Sequence, residues 1–191
     1  MTPTELLAAL HTAEKLKDTT RHCFTTGGRR ESVAEHSWRI ALMAFFLRDE
    51  FPEADMDKVT RMCLIHDLGE CFTGDIPAFD KTAQDEQHEE ALLAQWVSSL
   101  PSPCREEMQA LYDEMSALET QEAKIYKALD KLEAVISHNE SDISTWEGHE
   151  YDLQLTYGEQ NVSFSPYLTA LRQAIRQETL DKIARESKWR K

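Results

Sequence analysis

Apolar positions along this chain recur at helical spacing, and the breaks between periodic stretches carry helix-capping residues. Thr2-Pro3-Thr4-Glu5 combines an N-cap, an N1 proline and a capping-box Glu, so a helix is expected from there to about Lys17. Residues 18–31 have no period and contain Gly27-Gly28, which predicts a loop. Ser32-Val33-Ala34-Glu35 is a second capping box and opens a helix to about Glu50, ahead of Pro52. Its apolar stripe is Val33, His36, Ile40, Met43 and Leu47. A third helix is expected over 56–69, apolar on most sides between Val59 and Leu68 and therefore buried.

Residues 71–85 read as a loop, with Thr82 to Asp85 capping a helix over about 85–99. Ser102-Pro103 opens another over about 103–118, and Thr120 starts a long helix through QEAKIYKALDKLEAVISHN. Residues 140–165 are polar and carry no clear assignment. An amphipathic helix is expected over about 166–187. No strand pattern competes and no repeat appears, so the fold class is all-α. The 191 residues suit one domain, with a core over about 10–140 and a helical extension over 141–191.

Charge narrows the partners. The net charge of -14, spread along the chain, argues against a nucleic-acid-binding surface but leaves room for a small phosphate ester held by a few local cations. Cys23, Cys63, Cys71 and Cys104 form no CxxC pair, so free thiols are expected. No segment approaches the roughly 18 apolar residues of a membrane span, and the N-terminus has no signal-peptide pattern. A cytoplasmic protein without membrane contact is the expectation.

The chemistry concentrates at His66-Asp67, an ionisable pair inside the apolar stretch VTRMCLIHDLGE. Burying such a pair costs free energy unless something compensates it. A divalent metal ion would do so, and His36, inward on its stripe, and Asp130 add two further oxygen and nitrogen donors. On the long helix, Ile125, Ala128, Leu129, Leu132, Val135 and Ile136 make the apolar arc. Lys124, Lys127, Lys131 and His138 make the opposite face, and Asp130 falls at the margin away from the lysines. Glu122 falls inside the arc, where an unpaired carboxylate should not sit. Glu70, three residues after Asp67, shares its helical side and could orient or deprotonate a water. Asp75 follows in a Thr73-Gly74-Asp75 turn. The remaining histidines, His11, His22, His88, His138 and His149, read as surface residues, apart from the place of His22 beside Arg21. Trp38 and Trp96 read as core residues.

The order His36 … His66-Asp67 … Asp130 on helices resembles the HD-domain metal-dependent phosphohydrolases. ESVAEHSWRIALMA, IHDLGECFTGDIP and EAKIYKALDKLEA each look like segments of the 5'-nucleotidase branch of that family, and the Glu70 … Gly74-Asp75 extension sharpens the match. The resemblance implies a compact helical bundle, usually a homodimer. It also implies one divalent metal ion (Mn, Co, Ni, Fe, Zn or Mg) held in a buried site by His36, His66, Asp67 and Asp130. By position it implies that Arg21 contacts phosphate, that Glu70 is the catalytic Glu, that Asp75 lies near the sugar and leaving oxygen, and that Glu122 is a recurrent inward acid. His22 stands where the deoxynucleotidases carry Trp against the sugar, so sugar choice is open. The implied reaction is hydrolysis of a nucleoside 5'-monophosphate, or another small phosphate monoester, to alcohol and phosphate.

Two other classes remain at this point. A cyclic-nucleotide phosphodiesterase or a di-iron oxygenase of the same family would need a second metal, yet only His88 lies between Asp67 and Asp130. A non-catalytic helical binding module would leave the inward carboxylates Glu70 and Asp75 without a purpose.

Overall fold

In the computed structural model, which describes residues 1–186, helices dominate, as the periodicity predicts. The expected last helical residue, 187, and the rest of the chain's end lie outside the described residues. Helix α1 (Pro3–Ala13) begins at the Thr2–Glu5 capping box, with both reciprocal bonds made. Helix α2 (Val33–Phe46) begins at the Ser32–Glu35 box in the same way. That cap fixes where the helix starts, and hence which turn carries His36.

Between them the expected loop is a hairpin of two antiparallel strands, β1 (Thr20–Phe24) and β2 (Arg30–Ser32). Thr25-Thr26-Gly27-Gly28 supplies the turn, closed by Thr25 N–H donating to the Arg29 carbonyl at 2.8 Å, with Gly28 at φ +81°. No alternation marked these strands because β1 is irregular. Thr20 faces Ser32 and Phe24 faces Arg30, so β1 carries more residues than the partner segment opposite it. Such a bulge breaks the in-out alternation and turns consecutive side chains toward one side.

The third expected helix is also revised. Helix α3 (Met56–Ile65) ends before the His66-Asp67 pair, and the chain runs through tight three-residue turns into a short helix α4 (Glu70–Thr73). Leu68 N–H donates to Ile65 and Glu70 N–H to Asp67. Gly69 lets the Glu89 side chain pack closely on this turn, since a Cβ there would lie 2.7 Å from it. Helix α3 is buried on one face only: Val59, Met62 and Cys63 are covered, whereas Leu64 is half exposed.

Helices α5 (Ala83–Ser98), α6 (Cys104–Ala117) and α7 (Gln121–Glu140) follow, close to the expected ranges. The unassigned polar stretch folds into a 3-10 turn (Ile143–Thr145) and two short helices, α8 (Glu150–Thr156) and α9 (Glu159–Val162). Helix α10 (Pro166–Glu186) packs against α7, α8 and α9. Arg172 on α10 holds the end of α8, donating from Nε to the Tyr157 carbonyl (2.8 Å) and from Nη2 to the Gln154 carbonyl (2.9 Å).

The core sits where α2, α3 and α7 meet, with α10 behind α7. Ile40, Met62, Ile125, Leu129, Leu132 and Leu168 are fully enclosed there. Each stabilises the fold by about 1.5–3 kcal/mol relative to an exposed side chain. Trp38, expected inside, is instead exposed on the outer face of α2, and Trp96 is half-buried against Phe72. The four cysteines are free, and no helix among the described residues is long and apolar enough to cross a membrane. Ser32→Ala removes the α2 cap and should cost about 1 kcal/mol. A lowered urea midpoint with an unchanged m-value checks this; an unchanged midpoint contradicts it.

Candidate metal centre and substrate cavity

His36 comes from α2, His66-Asp67 from the turn after α3, and Asp130 from the middle of α7. These elements form the core contact, so the apolar packing that holds the fold also sets the spacing of the four side chains. Nε2 of His66 lies 2.9 Å from Asp67 Oδ2 and 3.9 Å from Asp130 Oδ1. Nε2 of His36 lies 3.4 Å from Asp130 Oδ1 and 3.8 Å from Asp67 Oδ2. All four residues are buried or nearly so.

The tautomers follow from the outer contacts. Nδ1–H of His66 donates to the Cys63 carbonyl at 2.9 Å, which leaves Nε2 as a lone pair. That Nε2 is buried and makes no hydrogen bond, despite the nearby Asp67 oxygen. Nδ1 of His36 is hydrogen-bonded to the Glu133 carboxylate, so its Nε2 is likewise aimed at the two aspartates. Single ligand atoms of His36, His66 and Asp67 thus lie within 4.8 Å of one another, and Asp130 Oδ1 adjoins both imidazoles. Only a cation satisfies such a donor set, and nitrogen and oxygen ligands in this number suit a divalent first-row metal or Mg. The residues fit the group that the sequence implies.

The electrostatics show the same demand for positive charge, which protons on the imidazoles meet where no ion is bound. Burial opposes the charge of Asp67, but His66 and His36 hold its carboxyl well below the usual range. Burial likewise opposes the charge of Asp130, and Lys131 and Lys127 overcome it. Burial and Arg21 disfavour a charged His36, yet its hydrogen bonds to Asp130 and Glu133 push it up to about 9. Glu70 is buried, its Oε2 makes no hydrogen bond, and burial beside Asp67, Asp75 and Glu89 pushes its carboxyl up to about 10. Asp75 is raised by burial as well.

These groups open on a cavity of about 350 Å³. Arg21, His22, Glu70 and Asp75 line it together with His36, Asp67 and Asp130. Arg21 reaches in from β1, and its Nη1 donates to Glu31 (3.0 Å) and Glu133 (3.1 Å). Burial disfavours its charge, but Glu133, Cys23 and Glu31 hold it as a cation. Glu122 does not reach the cavity. It accepts from the Asp55 N–H at 3.0 Å and faces Lys58 at 3.8 Å, joining the start of α7 to the start of α3. Its inward position is explained by that contact.

Three groups escaped the sequence reading. Glu133 is fully buried beneath His36 and bonds His36, Arg21 and Ser137 together. It follows Asp130 by three residues, which places it on the same side of α7. That spacing was the available signal. Lys127 and Lys131, expected on the wet face away from Asp130, lie 3.1 and 3.3 Å from its Oδ2 and line the cavity. Their flexible stems span the angular gap that a helical wheel suggests. His138, expected at the surface, bonds Glu150 at 2.8 Å in the cavity wall. Glu31, His36 and Glu133 make a second acid-histidine group, but the Arg21 guanidinium bridges its carboxylates. His88 lies on α5 outside the cavity lining and offers no ligand for a second ion.

The HD-domain family model matches residues 13–172. The chain belongs to the HD-domain family. The match runs past residue 140, so the family includes α8, α9 and the start of α10. Among its relatives, this HD-domain chain is 35% identical to the human 5'-deoxynucleotidase HDDC2 over 59% of its own length and 55% of that protein. It is 28% identical to the Schizosaccharomyces pombe 5'-deoxynucleotidase hdd1, over 70% and 76% of the two chains. The aligned part spans about half the length of the human protein. A crystal structure from Magnetospirillum magnetotacticum, described as a predicted metal-dependent phosphohydrolase, superposes with a TM-score of 0.78. Its identity is 32%, and the match covers 94% of this chain and 93% of that one.

Glu133→Gln removes the charge that orients His36 and should weaken metal affinity about 10–100-fold while the fold persists. Calorimetric titration with Mn2+ checks this; an affinity equal to the parent's contradicts it.

Proposed function

We propose that this chain is a metal-dependent phosphomonoester hydrolase that converts nucleoside 5'-monophosphates, ribo or deoxy, to nucleoside and phosphate. The observation that carries the reading is the convergence of His36, His66, Asp67 and Asp130 beside a buried, unbonded Glu70 in an Arg-lined cavity. The likeness to proteins named 5'-deoxynucleotidases, and to a structure described as a metal-dependent phosphohydrolase, supports it.

In this reading the four residues hold one divalent ion, which supplies Lewis-acid polarisation of a phosphoryl oxygen and a more acidic water. Arg21 uses only Nη1 in its described hydrogen bonds, so its remaining N–H groups clamp non-bridging phosphate oxygens. Lys127 and Lys131 keep Asp130 ionised as a ligand and add positive charge along the cavity wall. Glu70 takes a proton from the attacking water as the new P–O bond forms. Burial and the acids around it raise its affinity for protons so far that it must first be ionised for this role, which positive charge from an ion beside Asp67 would favour. The bond from phosphorus to the 5' oxygen breaks, and Asp75, itself raised by burial, returns a proton to that oxygen or holds a sugar hydroxyl. His22 adjoins Arg21 and lines the same cavity, so it lies against the sugar.

The same reading takes the protein as a cytoplasmic homodimer. The net charge of -14 supports the absence of a nucleic-acid polymer among its partners. A phosphate-release screen of ribo- and deoxynucleoside monophosphates across Mn, Co, Ni, Fe, Zn and Mg tests the proposal. Asp67→Ala should lose metal binding and turnover together, and full turnover in that variant contradicts the assignment. Glu70→Gln should retain the metal and lower kcat about 10²–10⁴-fold. Parental kcat would remove Glu70 from the mechanism.

A further inference from the structure

The cavity has a second end that the phosphate chemistry does not use. Its first end holds the acids, His36 and the cations. Its second end is aromatic: His22 enters from β1 and Phe79 from the loop after α4, while His149, from the turn before α8, packs edge-on against Phe79 outside the lining. The Phe79 ring lies 4.6 Å from that of His149 and 5.5 Å from that of His22, centroid to centroid. Phe79 and His22 both line the cavity, and Phe79 remains 42% exposed. An apolar ring left that open at the mouth of a polar cavity gains from a partner with a flat face.

This end is braced from behind. The Glu150 carboxylate is almost fully enclosed. It accepts from the Glu147 N–H at 2.6 Å, bonds His138 Nε2 at 2.8 Å and lies 3.3 Å from His22 Nε2. Nδ1 of His138 is in turn bonded to the Ala134 carbonyl at 2.9 Å, so its ring is fixed at both nitrogens. His22 therefore stands against a rigid support, with its ring stacked 6.2 Å from His138. Leu153 and Tyr157, from α8 and its end, complete the apolar side of the cavity.

Order along the chain supplies the direction. Arg21 and His22 are neighbours, with Cα atoms about 3.8 Å apart. A phosphate at Arg21 places the sugar beside His22, and the next group outward meets Phe79. We propose that Phe79 forms the wall on which the substrate's nucleobase stacks, so that the base contributes to affinity and not the sugar phosphate alone. This rests on the nucleotidase reading above. Aromatic stacking accepts any base, because every base has a π face, so the subsite favours nucleotides over simple sugar phosphates without choosing one base by hydrogen bonds.

The test compares two uncleavable ligands on the Mn2+-loaded full chain by calorimetry: the 5'-phosphonate analogue of deoxyadenosine monophosphate, and the matching phosphonate of abasic deoxyribose. The parent should bind the nucleotide analogue roughly tenfold or more tighter than the abasic one. Phe79→Ala should erase most of that ratio while leaving the abasic affinity unchanged. Phe79→Trp should keep or increase it, which guards against a loop that merely collapses without its ring. An equal loss for both ligands means that Phe79 only shapes the loop and overturns the proposal, as does an unchanged ratio in Phe79→Ala. Turnover of deoxyadenosine monophosphate is measured in parallel. Phe79-dependent stacking without turnover would leave this inference standing and remove the hydrolase reading instead.

Discussion

Four acceptors crowd into one buried space, and that crowding organises the molecule. Each imidazole Nε2 lies within 4 Å of an oxygen of both carboxylates, and such a set of acceptors repels unless a cation joins it. The chain meets this cost by enclosing the group with the strongest packing it has, the contact of α2, α3 and α7. The outer contacts are arranged to keep the four atoms as acceptors: the Cys63 carbonyl and the Glu133 carboxylate each take the other ring nitrogen of a histidine. A core built for stability alone would have placed apolar side chains there.

Glu133 ties this centre to the rest of the cavity. It orients His36, anchors Arg21 and binds Ser137 on the next turn of α7. A single buried carboxylate therefore links His36 to Arg21, the proposed metal ligand to the proposed phosphate clamp. Movement of α2 against α7 would disturb both together, which couples the packing of the core directly to the chemistry of the site.

The helices were legible because their signals are local: capping boxes at Thr2 and Ser32 and apolar arcs of period 3.6 are read a few residues at a time. His36 and His66 were legible for a different reason, as polar residues on apolar stripes, with Asp67 beside the second; Asp130, at the margin of its arc, was singled out by the family resemblance. The hairpin was not, because its bulge breaks the period-2 signal and its stability comes from pairing and from packing on α2 and α7. Nor was the break between α3 and α4, where Gly69 serves a contact with a helix far along the chain. Glu122 shows the limit of the helical wheel. It is an inward acid, but its partner is the Asp55 backbone and not the cavity. Lys127 and Lys131 show the reverse, since long side chains reach across the angle that the wheel assigns them. Residues 140–165, unassigned as sequence, contribute Glu150, Leu153 and Tyr157 to the cavity wall.

The central claim is a single cation gripped by these histidines and aspartates. X-ray absorption at the metal edge of protein loaded with Mn2+ or Co2+, combined with elemental analysis, examines it most directly. The account requires one ion per chain with two imidazoles among light oxygen and nitrogen ligands. An ion whose scattering shows no imidazole ring, or two ions per chain with a metal–metal distance, would contradict it.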